Sequence, residues 1–270
     1  AANAAELYGA LSEMKGSVLK VAQMLAMEKN ILPAAYAEQF AQAQYQTPPL
    51  SGPLVVKAFR DAFGKSPAEL FDAFEPQARQ AASIGQVHFA RKDGRALAVK
   101  VQYPGVAASI RSDIRLVKPV ALRVLGLSED AVRPYMEEVE ARLLEETDYA
   151  LELRRGQQIA AQCADLPHLE FPRYYPELSS ARILTMDWLP GQHLKEFLAT
   201  APPQQVRNQL GQALWDFYMH QLHTLRQVHA DPHPGNFLLR AEHGGTVGVL
   251  DFGCVKEIPA EVHRLFTALL

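Results

Sequence analysis

The sequence has only two cysteines among its 270 residues, and this scarcity is the first limit on what the protein is. Cys163 and Cys254 cannot form the framework of cross-links that stabilises small secreted domains, so we expect a reducing compartment. Cys254 directly follows an Asp-Phe-Gly sequence; we expect a small buried residue there, and a reactive thiol is the alternative. With 48% hydrophobic residues, the chain can bury a core as one large domain or as two lobes.

Long apolar runs and an excess of basic residues are also missing. No stretch approaches the ~20 apolar residues that a membrane-spanning helix requires, and the chain begins with neither a charged leader nor an apolar signal core. The formal net charge of −3 gives no broad basic field for nucleic acid. We therefore expect a cytoplasmic protein that binds no nucleic acid, and any membrane association would be peripheral or made through segments outside this chain.

Two polar motifs near the end of the chain carry its chemistry. The first contains Asp231 and, five positions later, Asn236; the second is Asp251-Phe252-Gly253. This order and spacing match the catalytic and metal-binding loops of protein kinases. Residues 237–240 and 246–250 are predicted strands joined by a turn, so the hairpin should return Asn236 and Asp251 to the same end. The alternative is a structural hairpin between two polar turns.

These motifs predict a site for ATP or ADP with Mg²⁺. Asp231 is the candidate catalytic base, and Asn236 and Asp251 are the candidate metal ligands. Lys100 lies in a predicted strand, 96–102, on the same small-residue face as Ala98. We expect Lys100 to reach phosphate oxygens and Ala98 to leave room for a flat base, whereas an edge-strand lysine is the alternative.

The glycine-rich loop that covers the phosphates in protein kinases is poor in glycine here. Its place, from the end of a predicted strand at 77–82 to the start of the next at 86–91, is taken by five residues. They are candidates for nucleotide binding: Ala81, Ala82, Ser83, Ile84 and Gly85. Because alanine carries a Cβ, the backbone of this loop should approach a phosphate less freely than a glycine loop does.

Two further segments complete the predicted site. An apolar strand at 182–189 ends where the hinge between two lobes belongs, and its last backbone groups would be available to adenine: Asp187, Trp188 and Leu189. The charged helical region 129–162 should supply a carboxylate that pairs with the strand lysine, as in an active kinase. Three candidates fall on one helical face: Glu145, Asp148 and Glu152.

The first predicted element is a long helix at 4–29, whose apolar stripe recurs at spacings of three and four. Lys20 and Gln23 lie off that stripe, one turn apart, so they can point together at something other than the core. A solvated polar face is the alternative.

From about Leu19 onward the sequence resembles the UbiB/AarF family of atypical kinase-like proteins. The resemblance is carried by these segments: Lys20-Val21-Ala22-Gln23, 81–87, 99–105, Glu146-Thr147-Asp148-Tyr149, 229–236 and Asp251-Phe252-Gly253. By resemblance, Glu152 is the partner of Lys100 and shares a helix with Asp148. Glu146 and Asp148 form a carboxylate pair that meets Lys20 and Gln23 of a regulatory N-terminal extension. Ala22 stands where the family usually has glycine, with an effect that the sequence leaves open.

The resemblance implies an α+β, two-lobed protein-kinase-like fold with an antiparallel sheet and helices in the first lobe. We expect a helical extension at 1–50, the N-lobe at 51–190 and part of a mostly helical, truncated C-lobe at 191–270. The chain has no initiator methionine and ends soon after Asp-Phe-Gly, so we expect a piece of a longer protein. If the extension caps the cleft, Lys20 should lie within ion-pair reach of Glu146 or Asp148.

The resemblance also implies a Mg²⁺-dependent ATPase, or a kinase of small molecules or lipids, that supports isoprenoid-quinone (ubiquinone) metabolism. A protein kinase and a nucleotide-binding pseudokinase scaffold are the alternatives. The missing glycines and the occluding extension oppose the first alternative. The second is opposed by the retention of four polar residues: Lys100, Asp231, Asn236 and Asp251. The acceptor, the choice between hydrolysis and transfer, and the oligomeric state stay open.

Overall fold

A computed structural model describes residues 49–82, 84–125, 128–230 and 232–268. Within these ranges the chain divides into two compact units. The first unit comprises 49–94, 99–148 and 181–183, and the second comprises 95–98, 149–180 and 184–268. The predicted helix at 4–29, with Lys20 and Gln23, lies outside the described residues, and the predicted domain boundaries stay a prediction.

Helices and strands are mixed along the whole described chain, which confirms the predicted α+β class. In chain order the elements are α1 (Gly52–Phe63), α2 (Pro67–Leu70), β1 (Ala73–Phe74), β2 (Gln80–Ala81), β3 (Gly85–Lys92), β4 (Arg95–Gln102), α3 (Val106–Leu125), α4 (Glu129–Glu146), α5 (Tyr149–Gln162), β5 (Leu169–Glu170), β6 (Ile183–Asp187), α6 (Leu194–Ala199), α7 (Gln204–His220), β7 (Gln227–His229), β8 (Phe237–Arg240), β9 (Thr246–Val249), β10 (Val255–Glu257) and α8 (Ala260–Ala268). A π-helical turn, Gln221–Leu225, continues α7.

The strands form one five-stranded sheet and two smaller sheets. The large sheet has the order β1-β3-β4-β6, with β2 also paired to β3; the others are β5-β9-β8 and β10-β7. The turn between β3 and β4 has positive φ at Asp93 (50°) and Gly94 (74°), which suits the predicted hairpin turn. The strand predicted at 77–82 shortens to Gln80–Ala81. Pro76, which has no N–H to give to a ladder, lies between β1 and β2.

An aromatic cluster forms part of the core of the first unit. Phe59 of α1 is fully buried and contacts the rings of Phe71 and Phe74 at centroid distances of 6.0 and 5.4 Å. Phe74 in turn stacks on His88 at 4.9 Å. Helix α1 is followed by Gly64, whose φ of 69° is the left-handed conformation that glycine adopts most readily at a helix end.

The core of the second unit gathers side chains from α5, α6, α7 and the two small sheets. Its buried members are Ile159, Cys163, Phe197, Leu210, Ala213, Phe217, Leu239, Val247, Val249, Phe252 and Val255. Phe252, from the Asp-Phe-Gly motif, is fully buried among them. The segment predicted to bind metal is therefore anchored in the core by its middle residue.

The charged helical region contains a break that was not predicted from the sequence. Helix α4 ends at Glu146 and α5 begins at Tyr149, so Asp148 lies between two helices. The expectation that Asp148 and Glu152 share a helix is wrong. Thr147 closes α4 locally, because its Oγ1 donates to the Leu144 carbonyl oxygen at 2.7 Å.

Candidate nucleotide and metal site

The hairpin β8–β9 places the two candidate metal ligands at its open end. Phe237 pairs with Val249 in antiparallel register, and the next bond outward runs from the Leu250 N–H to the Asn236 carbonyl oxygen at 3.0 Å. Asn236 is therefore the last bonded residue of its strand, and Asp251 directly follows its bonding partner Leu250. The predicted hairpin and its effect on these two residues are confirmed.

The Asp251-Phe252-Gly253 segment is fixed by hydrogen bonds as well as by the buried phenyl ring. The Gly253 N–H donates to Asp251 Oδ1 at 2.8 Å, which orients the carboxylate. His229 Nε2 lies 2.7 Å from the Asp251 carbonyl oxygen. Because that oxygen can only accept, Nε2 must carry the ring proton. Asp251 is half-buried, while Phe252 and Gly253 are buried.

His229 is held in turn by the helix that delivers the chain to this loop. Its N–H donates to Gln221 Oε1 at 2.8 Å, and Gln221 is buried in the π-helical turn after α7. The Ala230 N–H donates to the Cys254 carbonyl oxygen at 2.9 Å, joining the two motifs directly. Sequence reasoning gave Gln221 no role, although a glutamine within an apolar helix was a usable signal. Asp231, the candidate base, lies outside the described residues.

Arg155 is a second contact that sequence reasoning missed. It lies on α5, three residues after Glu152, and its Nη1 donates to the Gly253 carbonyl oxygen at 3.1 Å. In the sequence Arg155 is one of many charges in a helical region, where a solvated face is the ordinary expectation. Its partner is a backbone atom 98 positions away, which no local pattern reveals.

In the first unit, Lys100 lies on an interior strand. Strand β4 runs between β3 and β6, and Lys100 is only 7% exposed. The alternative of an edge-strand lysine is therefore wrong. A buried ammonium group requires polar or charged neighbours, because desolvating an isolated charge is very costly. Glu146, at 8% exposed, is a buried carboxylate of the same unit.

Gln102, two residues after Lys100, connects β4 to the break between α4 and α5. Its Nε2 donates to the Thr147 carbonyl oxygen at 2.9 Å, so the strand holds the residue that lies between Glu146 and Asp148. Glu152 is also buried, at 3% exposed, and belongs to the second unit. The pairing of Glu152 with Lys100, and of Lys20 with Glu146 or Asp148, stay predictions.

The alanine-rich loop forms the turn of the hairpin β2–β3. Ala81 pairs with Gln86, and the Ala82 N–H donates to the Gly85 carbonyl oxygen at 2.9 Å. That N–H is used inside the turn rather than presented to a ligand. Ile84 is buried, and its carbonyl oxygen accepts from the Tyr103 N–H at 2.9 Å. Ser83 lies outside the described residues.

The hinge prediction needs correction for two backbone donors. The Asp187 N–H donates to the Arg173 carbonyl oxygen and the Trp188 N–H to the Ala96 carbonyl oxygen, each at 2.9 Å, so neither is available to adenine. The Asp187 carboxylate accepts from the Tyr175 hydroxyl at 2.7 Å. Burial, and then this bond, raise the pKa of Tyr175. Leu189 is buried.

The donor types at the open end of the β8–β9 hairpin suit a hard cation. Among the described residues, no group of three or more His, Cys, Asp or Glu side chains is placed to hold a metal ion. Asn236 and Asp251 offer one amide oxygen and one carboxylate instead. Mg²⁺ is commonly bound by one or two carboxylates together with substrate phosphates and waters, so this sparse oxygen set fits it.

Comparisons with known proteins identify the family. A sequence model described as the ABC1 atypical kinase-like domain matches residues 42–270. The chain belongs to this family. An Arabidopsis thaliana relative, "ACTIVITY OF BC1 COMPLEX KINASE 8, chloroplastic", is 30% identical over 252 residues, covering 91% of this chain and 33% of the relative. "AarF domain-containing protein kinase 1" of Xenopus laevis is 33% identical, covering 94% of this chain and 48% of the relative.

A third relative and a solved structure extend the comparison. "Atypical kinase coq-8, mitochondrial" of Caenorhabditis elegans is 32% identical over 94% of this chain and 34% of its own length. A Mycobacterium tuberculosis structure described as the Rv3197–erythromycin complex superposes with a TM-score of 0.66 at 30% identity, covering 95% of this chain and 65% of that chain. These matches confirm the UbiB/AarF resemblance and the kinase-like fold. The chain spans a third to a half of the length of these curated relatives.

The helices of the structure were predicted to include no membrane-spanning segment. Within the described ranges, no helix combines the length and the apolarity that a bilayer crossing requires. The names of two relatives place those proteins in the chloroplast and the mitochondrion.

Proposed function

We propose that this ABC1-family chain binds MgATP and MgADP and acts as a Mg²⁺-dependent ATPase or as a kinase of a small molecule or lipid. The observation that carries the proposal is the open end of the β8–β9 hairpin. Asn236 takes part in its last backbone bond, Asp251 is the next residue after the bonding partner, and the Gly253 N–H orients the Asp251 carboxylate. Phosphoryl transfer depends mainly on positioning and on neutralising the phosphate charge, and a Mg²⁺ ion held at this end of the hairpin would serve both needs.

Each candidate residue has one part in this proposal. Asn236 and Asp251 would hold Mg²⁺, which when bound neutralises charge on the phosphates. Lys100 would contact phosphate oxygens, with Glu152 as its carboxylate partner. Asp231 would accept the proton of the attacking hydroxyl or water.

The acceptor is proposed from the family alone. The UbiB/AarF resemblance points to isoprenoid-quinone metabolism, and hence to a lipid or small-molecule acceptor met at a membrane surface. The alanine-rich turn is consistent with a nucleotide site unlike that of ordinary protein kinases, since the Ala82 N–H is used inside the turn.

The test follows the γ-phosphate of labelled ATP. The full-length protein is incubated with Mg²⁺, labelled ATP and a lipid extract, and the label is then separated into free phosphate, lipid and protein. We expect label in free phosphate or lipid, and neither signal with the Asp251→Asn variant. Label in protein side chains alone would indicate a protein kinase. Nucleotide binding with no transfer of label would indicate a scaffold.

A further inference from the structure

The backbone carbonyl of Gly253 has a partner on helix α5. Arg155 Nη1 donates to it at 3.1 Å, from a position 98 residues earlier in the chain. Arg155 is half-buried and Gly253 is buried, so solvent competes weakly for this bond. A guanidinium group keeps its charge at every physiological pH, and a charged donor makes a stronger bond than a neutral one.

The bond restrains the residue that orients the candidate metal ligand. Gly253 gives its N–H to Asp251 Oδ1 at 2.8 Å and its carbonyl oxygen to Arg155. Both peptide groups that flank the Gly253 α-carbon are therefore held. Glycine has more backbone freedom than any other residue, so a glycine in this place needs an external restraint to keep one conformation.

The other bonds described for this segment hold different atoms. His229 reaches the Asp251 carbonyl oxygen at 2.7 Å, and the Ala230 N–H reaches the Cys254 carbonyl oxygen at 2.9 Å. Both come from the motif that contains the candidate base. The Arg155 bond comes instead from the helix that carries Glu152, the candidate partner of Lys100.

We propose that Arg155 is a positioning residue for metal binding: by holding the Gly253 carbonyl, it keeps the Asp251 carboxylate in the orientation that receives Mg²⁺. The inference rests on the proposed Mg-nucleotide function. Removal of the guanidinium releases Gly253, and the Asp251 carboxylate then samples orientations that do not serve the metal. The nucleotide contacts that need no metal are unaffected.

The experiment is a Mg²⁺ titration of the binding of a fluorescent ATP analogue, repeated in EDTA, with the full-length chain. The variants are Arg155→Ala, Arg155→Lys and, as the matched control, Arg154→Ala, which removes the exposed neighbouring arginine of the same helix. Loss of a charge-assisted bond corresponds to about a tenfold change in an equilibrium constant. We therefore expect Arg155→Ala to raise the half-saturating Mg²⁺ concentration about tenfold.

Affinity for the analogue in EDTA should stay within about twofold of the parent, the scale of a surface substitution. Arg155→Lys, which keeps a cationic donor, should recover part of the loss, and Arg154→Ala should match the parent. Equal Mg²⁺ requirements for Arg155→Ala and Arg154→Ala would overturn the proposal. So would parallel losses in melting temperature and in EDTA binding, because a merely structural arginine behaves in that way.

If Arg155→Ala does not fold, Arg155→Met decides, because it keeps an apolar stem without a hydrogen-bond donor. A Mg²⁺ requirement of Arg155→Met equal to that of the parent would exclude the positioning role. A parent protein whose analogue binding ignores Mg²⁺ would instead refute the proposed function itself. The two failures are therefore distinguishable.

Discussion

At the scale of single residues, the orientation of Asp251 is set by atoms near it in space and in sequence. Its Oδ1 accepts from the Gly253 N–H, and its carbonyl oxygen meets His229. The next residue, Phe252, is fully buried. A side chain held in this way loses little conformational entropy when it binds a cation, which is the advantage of a preorganised ligand.

The first prediction concerns the charge of this carboxylate. Asp251→Asn keeps the shape and the bond from Gly253 but removes the negative charge that Mg²⁺ requires. We expect the Mg²⁺-dependent part of the thermal shift caused by ATP to fall by more than half, while the shift in EDTA stays near that of the parent. Asp165→Asn, at an exposed aspartate, is the matched control. If the thermal shift of Asp251→Asn depended on Mg²⁺ as much as that of the parent, the assignment of Asp251 as a metal ligand would be wrong.

At the scale of elements, the packing of helix α5 depends on Gly156, because the ring of Tyr174 occupies the space that a Cβ would need. A Cβ added to Gly156 would lie 2.4 Å from Tyr174 Cζ, much closer than real contacts allow. Tyr174 is itself buried and forms a bridge with Met186 of β6. The ring therefore packs directly on the helix backbone, and it does so one residue after Arg155.

The second prediction follows from this contact. Gly156→Ala should lower the free energy of unfolding by about 1–3 kcal/mol, the usual cost of overpacking, although alanine is the better helix former. Gly211→Ala in α7 is the matched control, because an added Cβ there meets nothing within 4 Å. That change should stabilise the protein by up to about 1 kcal/mol. Urea denaturation measures both, and a Gly156→Ala protein as stable as the parent would contradict the packing argument.

The third prediction concerns the turn of the hairpin β2–β3. Ala82→Gly loosens a turn that is closed by the bond from its own N–H to the Gly85 carbonyl oxygen. We expect the ratio of ATP to ADP affinity to change about two- to fivefold, the factor that corresponds to 0.5–1 kcal/mol of backbone freedom. Calorimetry with both nucleotides measures the ratio. Ala201→Gly, in an exposed loop with a φ of 49°, tests the general effect of a new glycine. Identical ratios in all three proteins would dismiss the role of the loop.

The elements that could be predicted well from the sequence are those with local causes. The hairpin β8–β9 is one, because apolar strands and a glycine turn lie within fifteen residues of one another. The break between α4 and α5 was missed because part of its cause is distant. Gln102, which holds the Thr147 carbonyl, is 45 positions away. The bond from Arg155 to the Gly253 carbonyl oxygen and the bonds that occupy the Asp187 and Trp188 N–H groups also join residues distant in the sequence. The spacing of residues in the sequence does not predict such bonds.

At the scale of the whole molecule, the family could be recognised because it depends on the order of several motifs rather than on any one contact. The alanine-rich loop, the strand lysine, the Asp231 loop and Asp-Phe-Gly occur in sequence over most of the chain. The ABC1 match over 42–270 agrees with that extent. Packing could not be recognised in the same way. Gln86 and His88 of β3 are an example. Polar residues at alternate positions of a strand predict a solvent-exposed face, yet both side chains are buried.

These two side chains link three segments of the first unit. Gln86 Oε1 accepts from the Leu50 N–H at 2.7 Å, and its Nε2 lies 2.8 Å from His88 Nε2. His88 Nδ1 lies 2.9 Å from the Glu75 carbonyl oxygen, so the neutral tautomer with a proton on Nδ1 satisfies both bonds. Burial lowers the pKa of His88. A protonated ring would also carry an N–H on Nε2, which would then face the Gln86 Nε2 donor instead of accepting from it.

The last prediction is the pH dependence that results. In the unfolded chain the pKa of histidine is about 6.5, so above that pH both states hold a neutral His88 and the full stability is present. As the pH falls below about 6.5, the unfolded chain takes up a proton that the folded chain resists, and the free energy of unfolding decreases until the pH reaches the lowered pKa of the folded state.

His88→Gln should be less stable at pH 7.5, because it loses the stacking on Phe74. Between pH 7.5 and 5.5, however, it should lose less stability than the parent. His243→Asn removes an exposed histidine and should keep the slope of the parent. Urea melts of the three proteins at several pH values measure these slopes, and a His88→Gln slope as steep as that of the parent would show that His88 is not the group that titrates.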